Sequence, residues 1–392
     1  MNEVKVSIIM PSLNVSRYIR QCVDSVLNQT LREIEVIFVD AGSTDGTVEI
    51  LQEYTQKDSR TKLIHSDKKS YGYQVNLGFD AAQGEYLGII ETDDYADPEM
   101  FMRLYECAKE HDADVAKFGF YYYYSVGEEK SIPNPIASET MSHWTFCPAT
   151  DFKSPMERAA FFNIKPTIWS SVYRRSFIYE NGIRLNETPG ASYQDASFNF
   201  KVWVCAKRVR LLKECFLHYR QDNENSSINS SGKVYCICDE YDEMKRFLDT
   251  RPIEKGLLEP VLYRIMFDSY GWNYQRLSDT LRKEFILRFH DDFVKANQEG
   301  KLNKEYFEWF RWHMLEMILL KPAEYCRKIA CEEKGEKYVP VSLMTGRPLT
   351  FYERLRNNIL GGFDCLKRHG FLYTLKKFWG KVRRRIQNDS RF

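Results

Sequence analysis

The sequence predicts an α/β protein: a mostly parallel central sheet, followed by an α-helical domain and a basic amphipathic C-terminal helix. Three observations carry this. Over residues 4–120, short apolar runs alternate with segments of helical periodicity. Such alternation implies crossover connections and a parallel sheet covered on both faces. Two of the runs stop abruptly at carboxylates, one at Asp40 and one at Glu91-Thr92-Asp93-Asp94. From residue 234 onward the helical period takes over.

Taken in order, V-K-V-S-I-I-M (4–10) reads as a buried strand that Pro11-Ser12-Leu13-Asn14 breaks. Tyr18, Ile19, Cys22, Val23, Val26 and Leu27 then recur at helical spacing, with Asn14 or Ser16 as candidate caps. Residues 34–39 form a second strand ending at Asp40, and the turn A-G-S-T-D-G leads into a helix, T-V-E-I-L-Q-E-Y, with Ser43, Thr44 or Asp45 as candidate N-cap. Residues 62–65 read as a third strand, 73–82 as a helix, 86–90 as a strand, 100–111 as a helix and 113–120 as a strand. Residues 121–165 read as an irregular excursion over the active edge, because four successive Tyr precede many Pro, Ser and Thr. The α/β pattern resumes over 166–219, and helices are expected over 239–249, 257–274, 277–296 and 306–320. The domains expected are 1–233, 234–336, and a linker with a basic tail over 337–392.

Composition narrows the classes. The chain has 392 residues, 43% of them hydrophobic, enough for two or three globular cores. A net charge of +1 argues against a nucleic-acid-binding protein. Of 10 Cys, only Cys236 and Cys238 lie close together, as C-x-C, so neither a zinc site nor a disulfide framework is expected and a reducing compartment fits. The N-terminus enters a strand directly without a signal-peptide pattern, and no apolar run approaches the roughly 18 residues of a membrane span. A cytoplasmic protein, peripheral on a membrane at most, is the expectation. No G-x-G-x-x-G follows the first strand, which discounts a nicotinamide-dependent oxidoreductase.

Four constellations carry chemistry. Adjacent carboxylates at the end of a buried strand repel and are driven to protonate. A divalent cation settles that conflict, and hard oxygen ligands suit magnesium or manganese, so Asp93 and Asp94 are the candidate metal ligands and a phosphate the anion clamped there. Asp97 ahead of Pro98 reads as a helix cap. In V-D-A-G-S-T-D-G-T, Asp40 can accept from a base N–H while Gly42 and Ser43 leave room for a ligand; the bland alternative is a capped strand–turn–helix corner. In G-A-S-Y-Q-D-A-S-F, Asp195 is a general base for a hydroxyl or an ordinary first-turn acid. In H-Y-R-Q-D-N-E-N-S-S, Arg220 is a pyrophosphate donor or part of a solvated linker.

V-S-I-I-M-P-S-L-N, V-D-A-G-S-T-D-G-T and G-E-Y-L-G-I-I-E-T-D-D, in this order, resemble the nucleotide-sugar glycosyltransferases of family 2, which have the GT-A fold. The resemblance is strong over residues 4–120 and continues through W-S-S-V-Y-R-R-S-F-I, Y-Q-D-A-S-F and Y-R-Q-D-N-E-N-S-S. It implies that Asp40 lies against the base or ribose of the donor, that Asp93 and Asp94 form the metal motif with Asp94 the direct ligand, and that Asp195 is the catalytic base of an inverting transfer. Pro11, Gly42, Ser43, Gln74, Asn76, Thr92 and Arg220 complete the implied nucleotide-sugar set, with Gly72 and Tyr73 in the same stretch and Ser226 and Ser227 in a segment able to fold over the diphosphate. This chain has Ala41 where many members carry a second Asp, and Glu91 where the acidic motif often begins with Asp. The implied reaction moves a sugar from a nucleotide-sugar, UDP-linked by expectation, to a hydroxyl of a glycan or lipid-linked acceptor in surface polysaccharide, lipooligosaccharide or capsule synthesis. A non-catalytic nucleotide-sugar or carbohydrate-binding protein is the alternative.

The tail from Leu366 holds eight Lys or Arg through Ile386 and no acid. Phe371, Leu372, Leu375, Phe378, Trp379 and Val382 recur at helical spacing, a pattern suited to an anionic membrane surface. The alternative is a helix packed on the protein with its cations in solvent.

Overall fold

The computed structural model describes residues 3–137, 141–223 and 233–342, together with 347, 349, 350, 353, 354, 357, 359, 363 and 366. Ser226, Ser227 and residues 367–392, which carry the expected basic helix, lie outside them. The chain divides into two compact units, Met1–Leu262 and Tyr263–Phe392.

The first unit is built on one mixed sheet. Strands β1 (Val6–Ser12), β2 (Ile34–Asp40), β3 (Thr61–His65) and β4 (Tyr86–Ile89) pair in parallel in the order β3-β2-β1-β4. The two-residue strand β5 (Tyr95–Ala96) follows the acidic run, and β6 (Val115–Tyr124) continues through all four tyrosines. β7 (Lys130–Asn134) folds back on β6, and β8 (Thr145–Phe146), β9 (Ser171–Arg174) and β10 (Val209–Arg220) complete the sheet. β9 runs antiparallel between β4 and β6, and β10 runs parallel to β6. β1, β2, β3, β4, β6 and β10 therefore share one direction. Their carboxyl ends, at Ser12, Asp40, His65, Ile89, Tyr124 and Arg220, fall on one edge of the sheet, where ligands of such folds bind.

The sequence explains these strands. Every residue of β1 and β2 is buried, as a central parallel strand requires. Each fully buried Val, Ile or Leu there contributes about 1.5–3 kcal/mol. The helices α1 (Ile19–Leu27), α2 (Thr47–Lys57), α3 (Tyr71–Ala81) and α4 (Met100–Glu110) are the crossovers. α5 (Pro155–Phe162), α6 (Arg175–Glu180) and α7 (Gln194–Cys205) lie between the later strands, and α8 (Cys236–Asp249) packs on α7.

Local expectations needed correction. Residues 121–165 are not an irregular excursion: the four tyrosines extend β6, and β7, β8 and α5 follow. Consecutive Tyr show no polar–apolar alternation, yet the aromatic side chain strongly favours a pleated surface. Neither Asn14 nor Ser16 caps α1, whose N-cap is Tyr18 without a side-chain bond. Instead the Asn14 Oδ1 accepts from Thr44 N at 2.9 Å, and Ser16 N donates to Asp45 Oδ2 at 2.9 Å, tying the two loops together. The N-cap of α2 is Gly46, at φ 94°, and Asp45 supports it by accepting from Thr47 N and Oγ1. Asp97 does not cap α4; its carboxylate lies 3.2 Å from Nε2 of His218, a ring stacked on Tyr95 and on Tyr121.

The second unit is helical: the C-terminal part of α9 (Pro252–Arg276), then α10 (Asp279–Gln298), α11 (Trp309–Leu320) and α12 (Pro322–Glu333). Phe267, Tyr270, Phe285, Phe289, Phe293 and Tyr325 pack ring against ring in its core, tilted or edge to face. Among the described residues no helix is long and apolar enough to cross a membrane.

Candidate active site

The chain leaves β4 at Ile89 and turns immediately through Glu91-Thr92-Asp93-Asp94 before pairing again as β5. Thr92 is buried and its Oγ1 donates to Pro11 O at 2.9 Å, fixing the acidic turn to the end of β1. Asp94 is 1% exposed. Its Oδ1 accepts from the backbone N–H of Arg220 at 2.8 Å, while its Oδ2 is buried without a hydrogen-bond partner. Burial first, and the charge of Asp93 second, hold the Asp94 carboxyl well above the usual range. Asp93 Oδ2 accepts from Asn223 at 2.7 Å. Glu91 accepts from the Tyr71 hydroxyl at 2.5 Å and is pushed up to about 8, chiefly by burial.

Among the described residues no three His, Cys, Asp or Glu side chains gather as a metal cluster. The chain offers Asp93 and Asp94. Magnesium-type sites commonly take one or two carboxylates and complete their shell with water and substrate phosphate. An orphaned, desolvated carboxylate oxygen beside a second carboxylate fits that demand.

Arg220 ends β10 on the same edge. It is 6% exposed, and its donors reach Asp93 O, Ser125 Oγ and Gln21 Oε1 at 2.9, 2.9 and 2.7 Å. Its guanidinium lies over the rings of Tyr18 and Tyr123. Arg220 thus clamps the acidic turn and β10 to each other, with its donors engaged inside the protein.

Asp40 ends β2 and is fully buried. Its Oδ1 accepts from Gly42 N and Ser43 N, both at 2.8 Å, and its Oδ2 from Ser43 Oγ at 2.5 Å and Ser12 Oγ at 3.3 Å. The carboxylate shapes the turn, and Gly42 takes the positive φ of 82° that the turn needs. Gln74 donates to Ser12 O and Val39 O at 2.9 and 2.6 Å, bridging the ends of β1 and β2. Asn76 exchanges hydrogen bonds with the backbone of Leu185 and also reaches Glu187.

That last contact begins the seat of Asp195. Gly72 lies so close to this loop that an added Cβ would stand 2.0 Å from Asn186 O. Tyr71 N donates to Gly190 O at 3.0 Å, and Gly190 N to Lys69 O at 2.7 Å. The buried Gln194 gathers the loop, donating to Thr188 and Gly190 and accepting from Ser192 N. Tyr193 takes a left-handed φ of 66°, and Asp195 follows in the first turn of α7. Burial pushes Asp195 up to about 6, while the Ala196 N–H and the charge of Lys165 pull it down.

The phenol of Tyr219 shows how these parts converge. Burial raises its pKa first, and then Asp94, Asp93, Glu91 and Asp195 all act on it. Sequence reasoning missed Tyr219, Tyr71 and two further groups. Lys165 Nζ lies 4.5 Å from the centroid of the Tyr219 ring and 5.4 Å from those of Phe120 and Tyr122. Glu240 of α8 is buried, accepts from Asn186 at 3.2 Å and is pushed up to about 8, chiefly by burial. An isolated charge in a helix or loop gives no local signal of such a seat. Only the buried acid of α8, amid Cys238, Tyr241 and Met244 on its apolar face, breaks a visible pattern.

A mixed α/β sheet with its carboxylates gathered at the carboxyl ends of the strands, followed by helices, is the architecture of the GT-A class. Residues 7–176 match the family described as "Glycosyl transferase family 2". The chain is 32% identical over 221 residues to the uncharacterized glycosyltransferase EpsJ of Bacillus subtilis (strain 168), covering 56% of this chain and 62% of that one. It is 27% identical over 231 residues to the poly(ribitol-phosphate) beta-glucosyltransferase of Bacillus spizizenii, covering 57% of this chain and 34% of that one. The chain thus spans less than two thirds of the length of these curated relatives. Its fold is similar to that of S. aureus TarS 1-349 in complex with UDP, with a TM-score of 0.62 at 17% identity over 87% of this chain and 95% of that one. The same TarS segment is also known in complex with UDP-GlcNAc.

Proposed function

We propose that this chain is a metal-dependent inverting glycosyltransferase that moves a sugar from a UDP-linked donor to a hydroxyl of a surface-polysaccharide acceptor. The observation that carries the reading is the acidic turn at the carboxyl end of β4, where Asp94 lies buried beside Asp93 with one oxygen unpartnered. UDP is supported by the complexes of TarS with UDP and UDP-GlcNAc, and a surface polymer by the poly(ribitol-phosphate) glucosyltransferase. The functional division we propose is a transfer domain over 1–233, a helical domain over 234–336 and a basic tail over 337–392.

Asp94, supported by Asp93, would hold manganese or magnesium, which when bound supplies charge neutralisation for the leaving diphosphate. The Asp40 corner, with Pro11, Gly42, Ser43 and Thr92, forms the floor against which the nucleotide would rest. Gln74, Asn76 and Arg220 keep that floor and the acidic turn in place. Asp195 would take the proton of the acceptor hydroxyl as its oxygen attacks the anomeric carbon on the face opposite the diphosphate, which inverts that centre. A base that must accept a proton cannot also be a metal ligand, and Asp195 sits on a separate element from the acidic turn.

The test is a thermal-shift titration of the protein with UDP, with and without manganese, since a ligand that binds only the folded state raises Tm. Wild type is expected to be stabilised by UDP only with the metal. D94A should abolish that shift, whereas D195N should keep it and lose transfer by about a hundredfold or more. A metal-dependent shift that survives in D94A would remove Asp94 from the metal role, and normal transfer by D195N would remove the base.

A further inference from the structure

One cation in the site has no task in the reading above. Lys165 stands in the loop between α5 and the 3-10 turn Ile168–Ser170. Its position is built from below. Lys117, buried in β6, donates to Thr167 O and, at 2.9 and 3.2 Å, to the hydroxyls of Ser170 and Ser171. Burial alone pushes the Lys117 ammonium down to about 7, so this anchor sits in a desolvated place and fixes the turn that carries Lys165. The aromatic floor is fixed as well: Phe120, Tyr122, Trp169 and Tyr219 meet one another with centroids 5.0 to 6.4 Å apart.

The head of Lys165 rests on this floor and on nothing else. Among the described residues it makes no ion pair and no hydrogen bond, only the contacts over Tyr219, Phe120 and Tyr122. The residue remains exposed. A cation resting on ring faces alone gains little, whereas holding a long lysine side chain in one place costs much of its rotamer freedom. The contacts alone therefore do not justify a lysine here. The carboxylates that act on it are Asp195 first and Asp94 second. Asp195 marks the acceptor side of an inverting site, opposite the diphosphate. A cation whose charge acts on the base ahead of the metal carboxylate is therefore better matched to whatever approaches the base than to the diphosphate.

We propose that Lys165, held over Tyr219, Tyr122 and Phe120, receives an anionic group of the acceptor, a phosphate or a carboxylate, beside Asp195. The inference rests on the transferase reading for the meaning of the acceptor side, and on the seat of Lys165 for the rest. It makes the acceptor an anionic molecule.

Calorimetric titrations of the full chain test it. Glycerol 3-phosphate and methyl glucuronide are titrated against their neutral counterparts, glycerol and methyl glucoside, into the protein saturated with UDP and manganese and into the free protein. Wild type is expected to bind at least one of the anions about tenfold tighter than its neutral counterpart. The arm that shows the preference identifies phosphate or carboxylate. K165M should erase the preference and K165R should keep part of it, with UDP affinity unchanged within about twofold in both. Equal binding of anionic and neutral probes by wild type, or a preference that persists in K165M, overturns the proposal. A large loss of UDP affinity in K165M also overturns it, by assigning the ammonium to the diphosphate. A wild-type protein that binds no UDP overturns the transferase reading instead, and the anion series on the free protein still decides the role of Lys165.

Discussion

At the scale of single residues the site is a set of carboxylates kept in different states by their surroundings. Asp40 accepts four hydrogen bonds from its own corner, whereas Asp94 has one oxygen with none. Asp195 is pushed up to about 6. Only its ionised form can act as a base, so the rate of transfer is expected to rise with pH through about 6 and to level off above. Lys165 draws that value down, because its charge favours the ionised carboxylate. Removing the charge in K165M is therefore expected to move the acidic limb of a kcat/KM profile to higher pH. A limb that stays in place in K165M would mean that the ammonium does not reach Asp195 in solution. The acidic turn was legible in the sequence because two carboxylates directly after an apolar strand create an electrostatic conflict visible in the letters alone. Lys165 was not, because its seat is made by Phe120, Tyr122 and Tyr219, which the fold brings to it from distant strands.

At the scale of elements, the site depends on how one loop is tied to one helix. α3 meets the loop that leads to Asp195 through Gly72, Asn76 and the exchange between Tyr71, Lys69 and Gly190. The approach at Gly72 leaves no room for a methyl group. G72A is expected to lower stability by about 1–3 kcal/mol, the usual cost of overpacking. It should also displace the loop and depress transfer more than UDP binding, because the acidic turn does not depend on that contact. Thermal unfolding together with UDP titration checks this; a variant of wild-type Tm and wild-type transfer would show that the loop tolerates the methyl group. The strands and crossover helices of residues 4–120 were legible because their period changes cleanly from buried run to helical spacing. The strand through residues 121–124 and the helix starts were not. Consecutive tyrosines carry no period, and Asn14, Asp45 and Asp97 bond across loops to partners that the sequence does not place beside them.

At the scale of the whole molecule, charge is distributed unevenly along a chain whose net charge is only +1. Eight Lys and Arg crowd the segment from Leu366 to Ile386 without a single acid, so the remainder of the chain is acidic overall. A segment of that composition, interleaved with Phe371, Leu372, Phe378 and Trp379, is attracted to an anionic bilayer, while an acidic remainder is repelled by it. Each Lys or Arg near such a surface contributes about 1 kcal/mol, and a Debye length of about 8 Å at physiological salt makes the attraction sensitive to ionic strength. The full chain is therefore expected to sediment with vesicles containing phosphatidylglycerol and not with neutral phosphatidylcholine vesicles. Raising salt to about 0.5 M should release much of it, leaving the part held by the aromatic and aliphatic side chains. A chain lacking residues 363–392 should stay in the supernatant in every case yet retain its metal-dependent UDP shift, because Asp40, Asp93, Asp94 and Asp195 all lie in the first compact unit. Equal sedimentation of the truncated and full chains would assign membrane attachment to another surface, and loss of the UDP shift on truncation would make the tail part of the site's support instead.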